Sequence, residues 1–186
     1  MNSGQTMMVI LAMMLLGTLS LNVNRTLINT SSTSLEMEAD LDAISYGQSL
    51  LDEIMNKAYD QKTADGTRIY VYSGMTPVNR LGPDLGETFT LPDSNYTGAY
   101  LSQTKYNDVD DYKNYRRIIT NPRLGNFTLT AMVEYVDEDD PDAVMSSQTF
   151  YKRITVTVSS PYMTKDNNGN VFPLVMRDLA IYRRYF

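Results

Sequence analysis

The 186-residue chain contains no cysteine, histidine or tryptophan, and its length suits one ordinary domain. Without cysteine it can form neither disulfides nor thiolate metal sites, and without histidine it lacks the commonest general base and metal ligand. Nucleophilic triads that depend on histidine are therefore excluded, and we expect no enzymatic activity and no cofactor. The net charge is −6, so nucleic-acid binding, which relies on clustered lysine and arginine, is not expected either.

Charged residues are also absent from the first 24 positions, and Arg25 is the first of them. The apolar run from Met7 to Leu16 continues more weakly to Val23, which approaches the length that crosses a ~30 Å hydrocarbon core as a helix. Three interpretations fit this segment: a cleaved signal peptide, a membrane anchor, or an apolar helix that leaves the bilayer and becomes the core of a polymer. A signal peptide is disfavoured because residues 1–6 contain no lysine or arginine and residues 17–20 form a poor cleavage site.

No proline precedes Pro77, so the sequence predicts a helix from about residue 4 to residue 61, followed by a turn at Asp65 and Gly66. Such a helix would be ~85 Å long, so we expect its first half to project and find partners elsewhere. From residue 35 onward it carries two apolar stripes. The first stripe consists of Met37, Leu41, Ile44, Leu51, Met55 and Ala58, and the second of Ala39, Ala43, Tyr46 and Leu50. We assign the first stripe to the protein's own sheet and the second to neighbouring subunits, the alternative being a helix buried on two sides of a single domain.

The second half of the chain has the period-2 alternation of β-strands in three places, around residues 127–135, 153–158 and 175–182. An acidic loop at residues 137–142 separates the first two strands, and a turn at residues 166–169 separates the last two. The pattern predicts an antiparallel meander with the helix across one face. A shorter strand is expected at residues 68–72, and residues 74–113 are expected to be irregular. The predicted fold class is therefore α+β.

Three local motifs each have a functional interpretation and a simpler one. Ser102 and Lys105 match the Ser-x-x-Lys pattern of acylating enzymes, but the companion motifs are absent. The carboxylates of Asp108, Asp110 and Asp111 could offer oxygen ligands to Ca²⁺, although a solvated acidic turn has the same composition. Among the Asn-x-Ser/Thr sequons, those at Asn95 and Asn126 lie in turn-like contexts that could accept a glycan.

This layout resembles the type IV pilin and pseudopilin superfamily, whose members place a short polar N-terminus before an uncharged apolar helix and an antiparallel sheet. The resemblance is most specific at residues 5–12, which look like the start of a mature pilin, and it extends to the strand at residues 151–158 and the acidic turn at residues 108–112. Gln5 stands where the family usually has a glutamate, and Met1 where it usually has a phenylalanine.

The resemblance implies a structural subunit of an extracellular helical filament at the cell surface, made from a membrane-inserted precursor. Its partners would be copies of itself, inner-membrane lipid before assembly, and the pilus assembly machinery. Residues 1–34 would form the filament core or a transient anchor, and residues 35–186 the globular domain, with an amphipathic helix at 35–61 and a sheet region at 67–186. The expected core contacts are Gln5, Met7, Met8, Val9, Ile10, Leu11, Met14 and Leu15. The alternatives are a minor pseudopilin of a secretion system and a single-pass anchored β domain that binds a ligand without polymerising.

Overall fold

A computed structural model describes residues 3–87 and 102–183. Its contacts divide the chain into two units, Met1–Glu38 and Ala39–Phe186. The secondary structure is α+β, as predicted: helix α1 spans Ser3–Met55, helix α2 spans Gln61–Ala64, and four strands follow. The strands are β1 (Tyr115–Asn121), β2 (Gly125–Tyr135), β3 (Tyr151–Ser159) and β4 (Leu174–Ile181).

Helix α1 continues through the stretch at residues 29–34 that is rich in serine, threonine and asparagine, which are poor helix formers. Within and just before this stretch, threonine hydroxyls donate hydrogen bonds to carbonyls one turn earlier. Thr30 bonds the carbonyl of Thr26 at 2.8 Å, and Thr33 bonds that of Asn29 at 3.0 Å. These side chains therefore find partners on the helix itself, so the stretch need not break it.

The predicted end of the helix near residue 61 is wrong, because α1 ends at Met55. The side chain of Asn56 donates to the carbonyl of Asp52, and the chain then turns so that Ala58 pairs with Asp108 in a parallel β-bridge. The helical structure resumes only in α2, where Asp60 caps the first turn. The helix therefore stops where backbone pairing with the loop before β1 replaces its own hydrogen bonds.

The four strands form one antiparallel meander in the order β1-β2-β3-β4, which confirms the predicted topology. The three predicted alternations correspond to β2, β3 and β4, and the predicted turn contains Gly169 with a positive φ of 83°. The sequence did not predict β1. The strand predicted at residues 68–72 does not form, and a 3-10 turn lies at Tyr72–Gly74 instead. β1 pairs with β2 from Tyr115 opposite Ala131 to Asn121 opposite Gly125.

The C-terminal part of α1 packs on the inner face of this sheet. Tyr46 contacts Phe127 of β2 edge to face, with ring centroids 5.2 Å apart. Gly47 is buried, and a Cβ atom placed on it would lie 2.8 Å from Met176 Sδ and 3.2 Å from Val158 Cγ2. The absence of a side chain at this position therefore lets the helix approach β3 and β4 closely.

We expect Gly47→Val to destabilise the globular unit by about 2 kcal/mol, because the new side chain overpacks this contact. The measurement is chemical denaturation of a chain that begins at residue 35. Ser49→Val introduces the same side chain at an exposed position of the same helix and should change stability by less than about 0.5 kcal/mol. Equal effects of the two substitutions would contradict the close approach at Gly47.

Candidate interaction surface and buried charge clusters

The uncharged first part of α1, residues 3–24, is an exposed apolar helical surface. Its large apolar side chains are 49–76% exposed, and they point in all directions around the helix. They are Met7, Met8, Val9, Ile10, Leu11, Met13, Met14, Leu15, Leu16, Leu19, Leu21 and Val23. Every apolar residue expected in a filament core lies on this surface, and Gln5 is exposed beside them. By length and composition α1 could cross a membrane, a property shared by signal sequences.

The second stripe of α1, which was assigned to neighbouring subunits, packs on the protein's own sheet instead. Ala39, Ala43 and Leu50, from the stripe assigned to neighbouring subunits, have no exposed surface and form the face that packs on the sheet. Tyr46, from the same stripe, contacts Phe127 of β2. The assignment is wrong because alanine and glycine, rather than the larger side chains, allow a helix to lie close to a sheet.

The stripe that was assigned to the sheet is largely exposed instead. Met37 is 62% exposed, Leu41 66% and Ile44 47%, whereas Leu51, further along the stripe, is buried and Met55 beyond it is 38% exposed. Isolated exposed apolar residues are ordinary, but these three follow one another at helical spacing on one face. We call Met37, Leu41 and Ile44 the outer stripe.

A buried network around Glu53 fastens the end of α1 to β1. Arg117 Nη2 lies 2.9 Å and 2.7 Å from the two carboxylate oxygens of Glu53, and both side chains are almost fully buried. Tyr112 OH donates to Glu53 Oε1 at 2.7 Å, and burial together with the Glu53 charge raises the pKa of Tyr112, so it remains a donor. Breaking such a pair leaves a buried charge uncompensated, which typically costs about 3–5 kcal/mol.

Ser102, the serine of the Ser-x-x-Lys pattern, belongs to this Glu53 network. Its hydroxyl donates to Glu53 Oε1 at 2.9 Å and accepts hydrogen bonds from Arg117 Nη2 at 2.8 Å and from the Tyr115 hydroxyl at 3.0 Å. A hydroxyl has one proton and two lone pairs, so these three bonds use all of its capacity. The geometry therefore supports a structural role for Ser102.

A second buried cluster surrounds Lys152, which lies on the inner face of β3 and is fully buried. Its ammonium nitrogen Nζ lies 2.6 Å from Asp110 Oδ1, 2.6 Å from the carbonyl oxygen of Tyr59 and 3.7 Å from Asp60 Oδ2. The Tyr59 and Tyr135 rings are close enough for cation–π contact, with centroids 4.4 Å and 5.3 Å from Nζ. We call Lys152, Asp60, Asp108 and Asp110 the Lys152 cluster.

The calcium interpretation of Asp108, Asp110 and Asp111 is not supported. Among residues 3–87 and 102–183 no group of three or more acidic side chains is arranged to hold a metal ion. Asp110 pairs with Lys152, Asp108 Oδ1 accepts the backbone N–H groups of Asp110 and Asp111, and Asp111 Oδ2 accepts those of Asn107 and Asp108. These carboxylates stabilise their own turn and the lysine rather than converging on one point.

The buried carboxyl groups of this turn should make the fold less stable as the pH rises. Burial, followed by the charges of Asp110 and Asp111, raises the pKa of Asp108 from 3.8 to about 9, and burial raises that of Asp111 to about 7. Between pH 4 and these values the folded protein holds protons that the unfolded chain has released. The stabilisation is complete below pH 4 and is lost as the pH rises through 7 and 9, by up to about 1.4 kcal/mol per pH unit for each proton.

Thermal melts of the chain that begins at residue 35 should therefore give a lower Tm at pH 9 than at pH 5. Asp108→Asn removes the carboxyl group whose pKa is about 9, so it should reduce the fall in Tm between pH 7 and pH 9. A Tm that rises between pH 5 and pH 9 would contradict this assignment.

Of the two sequons singled out, Asn126 lies on β2 and is exposed, and its side-chain oxygen accepts a hydrogen bond from Thr120 Oγ1 at 2.8 Å. Asn95 lies outside the described residues. Glycosylation at either position stays a prediction.

Comparison of the chain with family models, curated proteins and solved structures gives no match. The fold itself defines the class of the protein. It is an α+β protein in which a long helix, apolar and uncharged in its first part and able by length and composition to cross a membrane, packs with its last part on a four-stranded antiparallel sheet. This layout is compatible with a pilin-like fold.

Proposed function

We propose that the protein is the structural subunit of an extracellular helical filament and that it polymerises through the apolar part of α1. The observation that carries the proposal is the uncharged helical surface from residue 3 to residue 24, whose apolar side chains are exposed all around the helix. A helix that is apolar on every side is stable only when it is covered, either by lipid or by other protein. Copies of the same helix offer such a covering without any additional partner.

The outer stripe favours a polymer over a simple anchor. Residues 3–24 extend for ~33 Å along a helix, which already matches the ~30 Å hydrocarbon core of a bilayer. Apolar side chains nevertheless remain exposed beyond Arg25, first at Leu27 and Ile28 and then along the outer stripe. Lipid would leave this later surface in water, whereas packing between subunits covers it, at roughly 25 cal/mol for each Å² of apolar surface removed from water.

The polar residue Gln5, near the start of α1, fits the same proposal. Gln5 carries a neutral amide, so in an apolar core it needs a hydrogen-bond partner but not an opposite charge. A backbone group on an adjacent subunit can provide that partner. In this arrangement Gln5 sets the register between subunits, and summed apolar contacts supply most of the stability.

The test is electron microscopy of the fraction sheared from the surface of cells that express the full chain, with mass spectrometry to identify its protein. We expect filaments made of this chain. A chain that lacks residues 1–34 should be a soluble monomer with its sheet intact and should form none. Filaments formed by the truncated chain would overturn the proposal. A full-length protein found only in the membrane fraction would favour the anchored β domain.

A further inference from the structure

The Lys152 cluster holds a primary amine and a carboxyl group together in a dry and largely aromatic environment. Lys152 Nζ has no exposed surface, and the Asp110 side chain is 4% exposed. The amine lies 2.6 Å from Asp110 Oδ1, and it is fixed from another side by the carbonyl oxygen of Tyr59. Such a pair is either a permanent buried ion pair or the starting geometry for a condensation.

We propose that Lys152 and Asp110 become joined by an intramolecular amide bond that the folded protein forms without any other enzyme. A bond forms between Lys152 Nζ and Asp110 Cγ, one C–O bond of the carboxyl group breaks, and one water molecule leaves. The ammonium and carboxylate of the ion pair contain all the atoms of the amide and the water, so no oxidant, reductant or further reactant is needed. The product is a covalent link between the turn before β1 and the strand β3.

The distances are suited to this reaction. Asp110 Oδ1 is bonded to Cγ at ~1.2 Å, so Nζ lies within about 4 Å of the carbon that it attacks, close to the ~3–3.5 Å of a near-attack geometry. Groups held in this way react as if at a very high effective concentration. Burial also raises the pKa of Asp110, which favours the protonated carboxyl group, the form that condenses.

Asp110 is the partner favoured over Asp60, the other carboxylate near the amine. Asp60 Oδ2 lies 3.7 Å from Nζ and accepts the N–H of Thr76 at 2.7 Å, while Oδ1 accepts the N–H of Lys62 at 3.3 Å. Both of its oxygens therefore serve the cap of α2 and the loop that follows. Asp110 Oδ1, by contrast, points directly at the amine.

Asp108 is placed to act as the general acid. Burial and its acidic neighbours raise its pKa to about 9, so its carboxyl group carries a proton at neutral pH, and its side chain is hydrogen-bonded to that of Asp110. A protonated acid in this position polarises the Asp110 carbonyl while the amine attacks and can pass its proton to the departing hydroxyl. The same proton is then replaced by one released from Nζ, so Asp108 ends the reaction as it began.

The first test is the intact mass of the full-length chain, purified in detergent and then denatured. We expect a mass lower than that of the sequence by one water molecule. Trypsin should not cleave after an acylated lysine, so a branched peptide should join residues 106–113 to residues 124–153. A chain with the full sequence mass would overturn the proposal. So would a missing water located in a linear peptide, such as a cyclised aspartate at Asp65 and Gly66.

Two variants test the roles of the residues. Lys152→Arg keeps the positive charge but removes the amine, and should have the full mass of its sequence. Asp108→Asn keeps the shape of the side chain but removes the acid, and should slow the linkage by about a hundredfold, measured as the linked fraction at successive times after induction. An Asp108→Asn chain that links as fast as the wild type would overturn the role of Asp108. The wild-type mass decides the proposal even if a variant does not fold, and it does so whether or not the protein forms filaments.

Discussion

A chain that carries Leu11→Asp should accumulate in cells but yield no sheared filaments. Leu11 is 56% exposed on the isolated helix and lies in the middle of the uncharged segment. In the proposed assembly the new carboxylate would be buried among methionine and leucine side chains without a partner, and each subunit would carry this penalty of several kcal/mol. The measurement is the filament yield at matched expression.

Leu11→Met is the matched control, because it preserves the apolar character of the position and should leave the yield unchanged. Gln5→Leu should be tolerated or mildly impaired, since the amide contact of Gln5 contributes only about 1 kcal/mol. A normal yield from Leu11→Asp would contradict the proposed core. Complete loss of filaments in Gln5→Leu would show that this amide has a larger role than register.

Leu50→Asp should unfold the globular unit, whereas Leu41→Asp should leave it folded. Leu50 has no exposed surface and lies on the face of α1 that packs on the sheet, while Leu41 is 66% exposed on the outer stripe. An unpaired carboxylate at position 50 should cost about 3–5 kcal/mol, which is a large part of the stability of a domain this size. Thermal melts of the chain that begins at residue 35 will measure the difference.

The same pair of variants separates folding from assembly. In the full-length chain, Leu41→Asp should preserve the fold and reduce the filament yield, because the outer stripe is proposed to face a neighbouring subunit. An equal loss of stability in both variants would mean that α1 is buried on both faces. Undiminished filament formation by Leu41→Asp would remove the outer stripe from the proposed interface.

The sequence predicted the sheet better than the face of the helix that covers it. Alternation identified β2 and β3 because each buries every second residue, so its side chains repeat with a period of two. It also located β4, but Val175 and Ile181, on the face expected to be apolar, are about half exposed, and Ala180 on the other face is buried. Periodicity could not decide which of the two stripes of α1 faces the sheet, since both stripes are apolar. The answer depends on how closely the helix approaches the sheet. Gly47 offers the missing signal, because it lies on the same face as Ala43 and Leu50 and removes the side chain where contact is closest.

The strand β1 and the buried charges were missed for related reasons. β1 contains two consecutive arginines, which do not suggest a buried strand, and Arg117 is buried only because Glu53 is brought to it from 64 residues away. Lys152 did carry a signal: it has the same parity as Ile154 and Val156 of β3, so the alternation already placed it on the buried face. Its partner Asp110 could be found only from the fold.

Chemical cross-linking at one position in the N-terminal helix tests the filament proposal most directly. The chain has no cysteine, so Met14→Cys introduces a single thiol in the uncharged segment. Treatment of sheared, lipid-free filaments with a short bifunctional maleimide should give covalent dimers, because the helices of neighbouring subunits lie side by side in the core, and the same treatment after dissociation in detergent should give monomers. A protein that is recovered only with the membrane and remains monomeric under the reagent would contradict the account.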